Sequence, residues 1–342
     1  MTTTPGEAPR SKARTLRLIG TIKRITAASG PAKGIIGARS AMHRPLDSLD
    51  RSIPFEEPMM SPAENSSGDP TAEFPPHLPQ YAHERLRTDI PSPARTWNYW
   101  MGGKDNYAAD RLVGDSTAAI NPEVITLARA SRPFLIRVVR HLAAEENIRN
   151  FLDIGSGLPA ETNTHEVAQS VAPEARIVYT DNDPMVLAHA RALMRGTTPE
   201  GVTDYLDADY HDPKQILEQA ANVLNFGQPI AVMFMGVLGF CQEYETAKQI
   251  VADTMAGVPS GSLLALWDCT DTSEAAKQST DQYADSGTLP YILRSVEQLD
   301  GFFDGLEKVD PGLVPITQWR PDNPENGLPA HVNGYGAIAR KP

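Results

Sequence analysis

From Asn150 onward the chain alternates short apolar runs with segments whose apolar residues recur at helical spacing. Asn150–Ile154 reads as a buried strand, followed by a glycine turn and a helix over Ala160–Val171. Arg176–Thr180 is a second strand, and Pro184–Met194 a second helix with proline in its first turn. Val202–Leu206 with Lys214–Val223, then Ile230–Met235 with Glu245–Met255, repeat the pair, and Leu263–Trp267 is a fifth strand. Strands alternating with helices through short loops predict right-handed β–α–β units. The expected fold is a Rossmann-like α/β architecture, a mostly parallel sheet with helices on both faces. The tail changes character: Gly301–Gly305, Pro311-Gly312 and Gly334–Ala339 predict turns and antiparallel strands closing one edge.

The first quarter of the chain carries a different pattern. Residues 1–44 hold nine Lys/Arg and one acid, Glu7. Leu18, Ile22 and Ile25 recur at helical spacing among the basic residues, but this stretch has too little apolar area to offset ordering entropy, so a basic, disordered head is expected. Residues 45–93 contain ten of the 29 prolines, which removes backbone donors and blocks helices. A proline-rich linker over 45–90 and a folded domain over 91–342 follow from this.

Composition narrows the classes. The longest apolar stretch, Ile230–Cys241, has 12 residues and two glycines, short of the roughly 18 that a spanning helix needs. No stable membrane association is expected. Two cysteines, Cys241 and Cys269, supply neither a metal cage nor a disulfide framework, and a reduced, cytoplasmic setting is expected. With a net charge of −12 overall and +8 in residues 1–44, the remainder carries −12 − 8 = −20. Such a body repels nucleic acid, leaving a small molecule, or less favourably a protein side chain, as the partner. The oligomeric state is not legible.

The first predicted strand runs into Asp153-Ile154-Gly155-Ser156-Gly157-Leu158-Pro159-Ala160. The glycines allow a tight turn and close approach of a ligand to bare backbone. Gly155-x-Gly157-x-x-Ala160 also fits the dinucleotide fingerprint. Asp153, two residues before the first glycine, favours a ligand with an ammonium and a sulfonium over a pyrophosphate, and S-adenosylmethionine is such a ligand. Asp181-Asn182-Asp183 ends the second strand, 24 residues after Gly157, where an acid accepts from ribose hydroxyls in either cofactor class. Ala208-Asp209 follows the third strand, placed to meet an adenine amino group, and Met235 ends the fourth. Loop solubility or helix capping is the alternative role for Asp153, Asp181 and Asp209. A second cluster, Asn98–Tyr107, pairs Gly102-Gly103 with Tyr99, Lys104 and Asn106. It reads equally as a loop over a ligand or as a helix C-cap with aromatics in the core.

These stretches resemble a bacterial family of S-adenosylmethionine-dependent methyltransferases of largely unassigned substrate. The resemblance rests on Gly102-Gly103-Lys104-Asp105-Asn106-Tyr107-Ala108-Ala109-Asp110-Arg111, Asp153–Pro159, Asn163-Thr164-His165-Glu166 and Asp181–Pro184. It extends to the tail Gly301–Leu306, Pro311-Gly312 and Trp319-Arg320-Pro321-Asp322, and so covers about residues 90–342. It implies a class I sheet of seven strands with an antiparallel final hairpin. It also implies that S-adenosylmethionine is held by the first glycine turn, the acid after the second strand and the Gly102–Tyr107 loop. The cofactor-binding set expected on both grounds is Tyr99, Gly102, Gly103, Lys104, Asn106, Asp153, Gly155, Gly157, Asp181, Asn182, Ala208, Asp209 and Met235. The chain departs from the family pattern where Leu238-Gly239-Phe240 replaces Leu-His-Phe and Trp267-Asp268 replaces Ser-His, both on the acceptor side.

Methyl transfer from a sulfonium is an in-line displacement that needs alignment and a dry pocket more than a protein nucleophile. His165, Glu161 and His211 are the candidate bases, though packing, the helix dipole and a helix start explain each of them better, and no catalytic residue is assigned. Trp97, Tyr99, Trp100, Tyr107 and Trp267 are available to an acceptor pocket or to the core. No nucleophile elbow, metal-spaced histidine pair or Walker loop is present. The expected activity is methyl transfer to a small molecule. The alternatives are an S-adenosylmethionine-binding protein without transferase activity and an NAD-dependent oxidoreductase.

Overall fold

Apolar runs that leave no face for water become the middle of the sheet. β1 (Asn150–Ile154) is buried at every position, and β4 (Ile230–Met235) at all but the last. This is the signature of strands covered on both sides. The computed structural model describes residues 87–342 apart from 161, 194, 195, 324, 326 and 328. The expected basic head and all but the end of the expected linker lie outside the described residues. Three helices precede the sheet: α1 (Pro93–Met101), α2 (Ala108–Ile120) and α3 (Glu123–Ala144). After β1 come α4 (Thr164–Val171), β2 (Arg176–Asp181), α5 (Pro184–Leu193), β3 (Val202–Asp207) and α6 (Pro213–Ala220). Beyond β4 follow α7 (Tyr244–Ala256), β5 (Leu263–Cys269), α8 (Glu274–Asp285) and α9 (Val296–Asp300). Three late strands end the chain: β6 (Glu307–Lys308), β7 (Val314–Pro315) and β8 (Gly334–Arg340). No helix among the described residues is long and apolar enough to cross a membrane.

The strand order is β3-β2-β1-β4-β5-β8-β6, with β7 also paired to β8. β1 through β5 are parallel and β8 runs antiparallel to β5. The fold is therefore the expected mostly parallel, class I methyltransferase-like sheet. It has eight strands rather than seven, because the outer edge is split. β6 pairs with Ala339 and Arg340, while β7 pairs with Tyr335 and Gly336. Between them Pro311 lacks an N–H and Gly312 adopts φ 80°, which interrupts the ladder. The order of chain travel reverses between β1 and β4, and at such a switch point open α/β sheets form their ligand crevice.

Side chains alternate between two cores. Phe151, Ile177, Ala231 and Met233 join Phe134, Val138 and Leu142 of α3 on one face. Leu152, Val178, Val232 and Phe234 join Ile216 of α6 and Ile250 of α7 on the other. The expected helix start at Ala160 shifts to Thr164. There the Glu166 carboxylate accepts from the Asn163 N–H at 2.6 Å, closing the first turn. A smaller cluster of Trp100, Val113, Ala128 and Tyr283 ties α1, α2, α3 and α8 together above the carboxyl ends of the strands.

Two buried carboxylates contrast in how they are compensated. Asp110 is fully buried and carries a full set of partners: Ser92 N at 2.8 Å, Tyr107 N at 2.8 Å and the Arg95 guanidinium at 2.8 Å. Arg95 itself donates to Ile90 O at 2.6 Å, so the pair pins the segment leading into α1. Asp153 on β1 accepts only from Thr164 Oγ1, at 2.7 Å, and its Oδ1 has no partner among the described residues. Burial outweighs that bond and the attraction of Arg132, lifting its pKa to about 6.

Opposite outcomes are expected on substitution. Asp110→Ala strands the buried Arg95 and should cost about 3–5 kcal/mol in chemical denaturation; a loss below about 1 kcal/mol would show the pair to be dispensable. Asp153 binds its proton more readily folded than unfolded. Its stabilising contribution is therefore present below pH 4 and lost as pH rises through about 6. Asp153→Asn should accordingly raise stability at pH 7.5 by about 2–3 kcal/mol and have almost no effect at pH 4. A pH-independent change would refute the assignment.

Candidate active site

The turn after β1 is shaped by what surrounds it. Gly155 has φ 69°, and a Cβ there would overlap Val237 Cγ2 at 2.4 Å; Gly157 has φ 66° and faces open space. The amides of this turn are already engaged. Gly155 N and Ser156 N both donate to Thr180 O, at 2.9 and 3.1 Å. Gly157 N donates to Asp181 Oδ2 at 2.9 Å, while Asp181 Oδ1 accepts from Asp183 N at 2.9 Å. The carboxylate at the end of β2 thus replaces any external anion as the acceptor of the turn. Burial lifts the Asp181 pKa to about 6 against the lowering by those backbone bonds. Asp183 in turn accepts from Met185 N at 2.8 Å and Ser92 Oγ at 2.6 Å, joining the approach to α1 to the start of α5.

These groups open into a cavity of about 740 Å³ above the ends of β1, β2, β4 and β5, walled by residues of α1, α2, α3 and α8. Gly155, Gly157, Asp181, Asn182, Ala208, Asp209 and Met235 all line it. Asp209 stands on the rim, exposed, and its Oδ1 accepts from His211 N at 3.0 Å and meets His211 Nδ1 at 2.7 Å. Asp153 does not reach the wall. It is 3% exposed, below the turn, and acts on the cavity only through the field it exerts on Arg132.

The Gly102–Asn106 stretch departs further from the expectation of a loop over the ligand. Gly102 at φ 89° ends α1, with its N–H on Tyr99 O at 2.9 Å, and Gly103 N bonds Asn98 O at 2.9 Å. Asn98 Oδ1 then accepts from Asp105 N and Asn106 Nδ2, each at 3.1 Å. A Cβ on Gly103 would overlap the Asn98 amide at 2.3 Å, so the glycine pair serves loop closure. Lys104 is exposed, and Tyr99 turns outward to donate to Asp115 Oδ1 at 2.7 Å. Tyr99, Gly102, Gly103, Lys104 and Asn106 therefore do not line the cavity.

Of the candidate bases, His165 is buried with Nδ1 2.9 Å from the Tyr179 hydroxyl, away from the cavity, and burial lowers its pKa. His211 sits on the rim, stacked on Tyr210 at 4.2 Å. Glu161 lies outside the described residues. Trp97, Trp100 and Trp267 line the cavity; Tyr107 does not.

Sequence reasoning passed over Arg132, the single Lys or Arg on the described wall of the cavity. It donates through Nη2 to Asn163 Oδ1 at 2.9 Å, and its Nε has no partner among the described residues. Asn163 Oδ1 also accepts from Ala160 N at 3.0 Å, so the guanidinium is tethered to the loop that follows the glycine turn. A signal was available: on α3, Arg132 stands at helical spacing from the buried Ala128, Leu135 and Val139, a charge on an apolar stripe.

The sequence profile described as S-adenosyl methyltransferase matches residues 79–342. The crystal structure of a DUF574 family protein from Streptomyces avermitilis is 39% identical, with a TM-score of 0.71, covering 75% of this chain and 99% of that one. A candidate methyltransferase from Thermobifida fusca is 35% identical, with a TM-score of 0.69, covering 79% of this chain and 99% of that one. No curated protein gives a significant match. The chain belongs to the S-adenosyl methyltransferase family, whose methyl donor is S-adenosylmethionine, and is a methyltransferase.

Proposed function

We propose that the cavity binds S-adenosylmethionine across the β1–β2 crevice and presents its methyl group to a small-molecule acceptor. The carrying observation is that Gly155, Ser156 and Gly157 spend their amides on Thr180 and Asp181. A pyrophosphate would find there a carboxylate instead of free donors, which speaks against NAD. Each Asp181 oxygen accepts one backbone bond and keeps a lone pair for a ribose hydroxyl. Ala208 and Asp209, beyond β3, flank the place of the adenine. Arg132 supplies the charge that a ligand's carboxylate needs, and its unpartnered Nε fits that role. When bound, S-adenosylmethionine supplies an electrophilic methyl carbon on a sulfonium. The chain's part is to align that carbon with the acceptor and exclude water, as in-line displacement requires. The volume of about 740 Å³ falls within the roughly 300–1,000 Å³ of sites that enclose small molecules.

Isothermal titration should show S-adenosylhomocysteine binding and no binding of NAD; the reverse result would overturn the reading. Asp181→Ala should weaken S-adenosylhomocysteine by about 1–3 kcal/mol. Arg132→Ala should weaken it about tenfold yet leave 5′-methylthioadenosine, which lacks the amino-acid end, unchanged. Equal loss for both ligands would mean that Arg132 only supports the fold.

A further inference from the structure

The part of the cavity away from the glycine turn is walled by Trp97, Trp100, Val124, Phe240, Tyr283 and Leu289. It offers flat apolar faces, and Arg132, the one Lys or Arg on the described wall, is bonded to Asn163 beside the turn. Into this chamber faces Tyr291, packed edge-on against Phe240 with ring centres 4.8 Å apart. Its ring occupies the space that a side chain at position 239 would take: a Cβ on Gly239 would lie 2.2 Å from Tyr291 Cζ. The Tyr291 hydroxyl donates to Asp268 Oδ1 at the end of β5. Asp268 is 1% exposed and held from behind by Gly239 N at 2.9 Å and Cys269 N at 2.8 Å. Arg294, also buried, fixes the same corner by donating to Leu238 O at 2.8 Å and Cys241 O at 2.7 Å. Gly239 and Asp268 are thus bonded to each other and share Tyr291.

We propose that Tyr291 and Asp268 form a proton path for a planar, uncharged phenolic acceptor, making the enzyme an O-methyltransferase of phenols. This rests on the cavity being the methyl-transfer site. Before reaction Tyr291 keeps its proton and donates a hydrogen bond to Asp268, so its oxygen can accept one from the acceptor's O–H. As the acceptor oxygen forms its bond to the methyl carbon, the donor's carbon–sulfur bond breaks with the electron pair staying on sulfur. The acceptor's proton passes to the Tyr291 oxygen and the Tyr291 proton to the Asp268 carboxylate, which later releases it to water. Sulfonium and carboxylate are both neutralised, and atoms and charge balance. Burial raises the pKa of Asp268, against the lowering by Tyr291 and Arg294, which suits it to receive a proton. A neutral amine sheds its proton after attack and needs no such path. An anionic carboxylate would meet aromatic faces and the Glu123 and Glu243 carboxylates of the wall, with Arg132 held beside the turn.

The test uses the full-length protein and equilibrium dialysis with 2-naphthol and 2-methoxynaphthalene, each with and without saturating S-adenosylhomocysteine. Wild type should bind the naphthol about tenfold tighter than its ether, the size of one buried hydrogen bond. Tyr291→Phe should bring that ratio to about one, with the ether's affinity unchanged. Asp268→Asn should lower the ratio too, whereas a merely structural role would weaken both compounds alike. Equal affinities in wild type, binding of neither compound, or an unchanged ratio in Tyr291→Phe would overturn the proposal. A protein that keeps the ratio but does not bind S-adenosylhomocysteine contradicts the cofactor reading and leaves the phenol site standing.

Discussion

The bond from Gly157 N to Asp181, with its companions from Gly155 and Ser156 to Thr180, decides what this sheet can hold. β-Strand pairing fixes the ends of β1 and β2 side by side, since Ile154 is in register with Thr180. The turn that follows β1 must then fold back across the end of β2. Two glycines at positive φ let it do so, and Val237 forbids a side chain at the first of them. The result is a crevice whose floor carries negative charge where a dinucleotide-binding turn would carry free donors. A nucleoside with a cationic end suits that floor, and a diphosphate does not.

The remainder of the cavity follows from elements outside the alternating β–α units. α1, α2, α3 and α8 meet through Trp100, Val113, Ala128 and Tyr283 above the strand ends. The buried Arg95–Asp110 pair, fully partnered, anchors the segment that begins this cover. Arg132, reaching from α3, is the one Lys or Arg on the described wall, whereas carboxylates stand at several places on it: Asp181 and Asp183 at the end of β2, Asp209 beyond β3, Glu123 at the start of α3 and Glu243 before α7. The chamber under the cover presents the rings of Trp97, Trp100, Phe240, Tyr283 and Tyr291 together with polar side chains such as Thr117, Glu123 and Ser279, and Tyr291 bonds Asp268 at its edge.

How far this was legible in the sequence varies with the kind of signal. The five parallel strands and the helices between them were readable because buried strands such as Ile230–Met235 are unbroken apolar runs and the intervening helices begin at Pro184, Pro213 and Tyr244. Gly155, Gly157 and Asp181 were readable because a glycine turn and an acid at a strand end carry their geometry in their spacing. The Gly102-Gly103 pair misled, since a left-handed helix cap and a ligand loop use the same residues, and only the bonds to Asn98 tell them apart. Asp153 was legible as an acid near the crevice, but strand alternation turns it inward beside Thr164. Asp268 was singled out in the sequence through the family resemblance, but Tyr291 lies 23 positions away and meets it only through tertiary folding, so no local pattern announces the pair. Arg132 did leave a trace, a charge on the buried stripe of α3.

A crystal structure of the full-length protein with S-adenosylhomocysteine tests the central claim most directly. The account predicts both ribose hydroxyls within hydrogen-bonding distance of the Asp181 carboxylate, the adenine beside Ala208 and Asp209, and the ligand's carboxylate on the Arg132 guanidinium. A ligand seated with its ribose away from Asp181 and its carboxylate in solvent would contradict it.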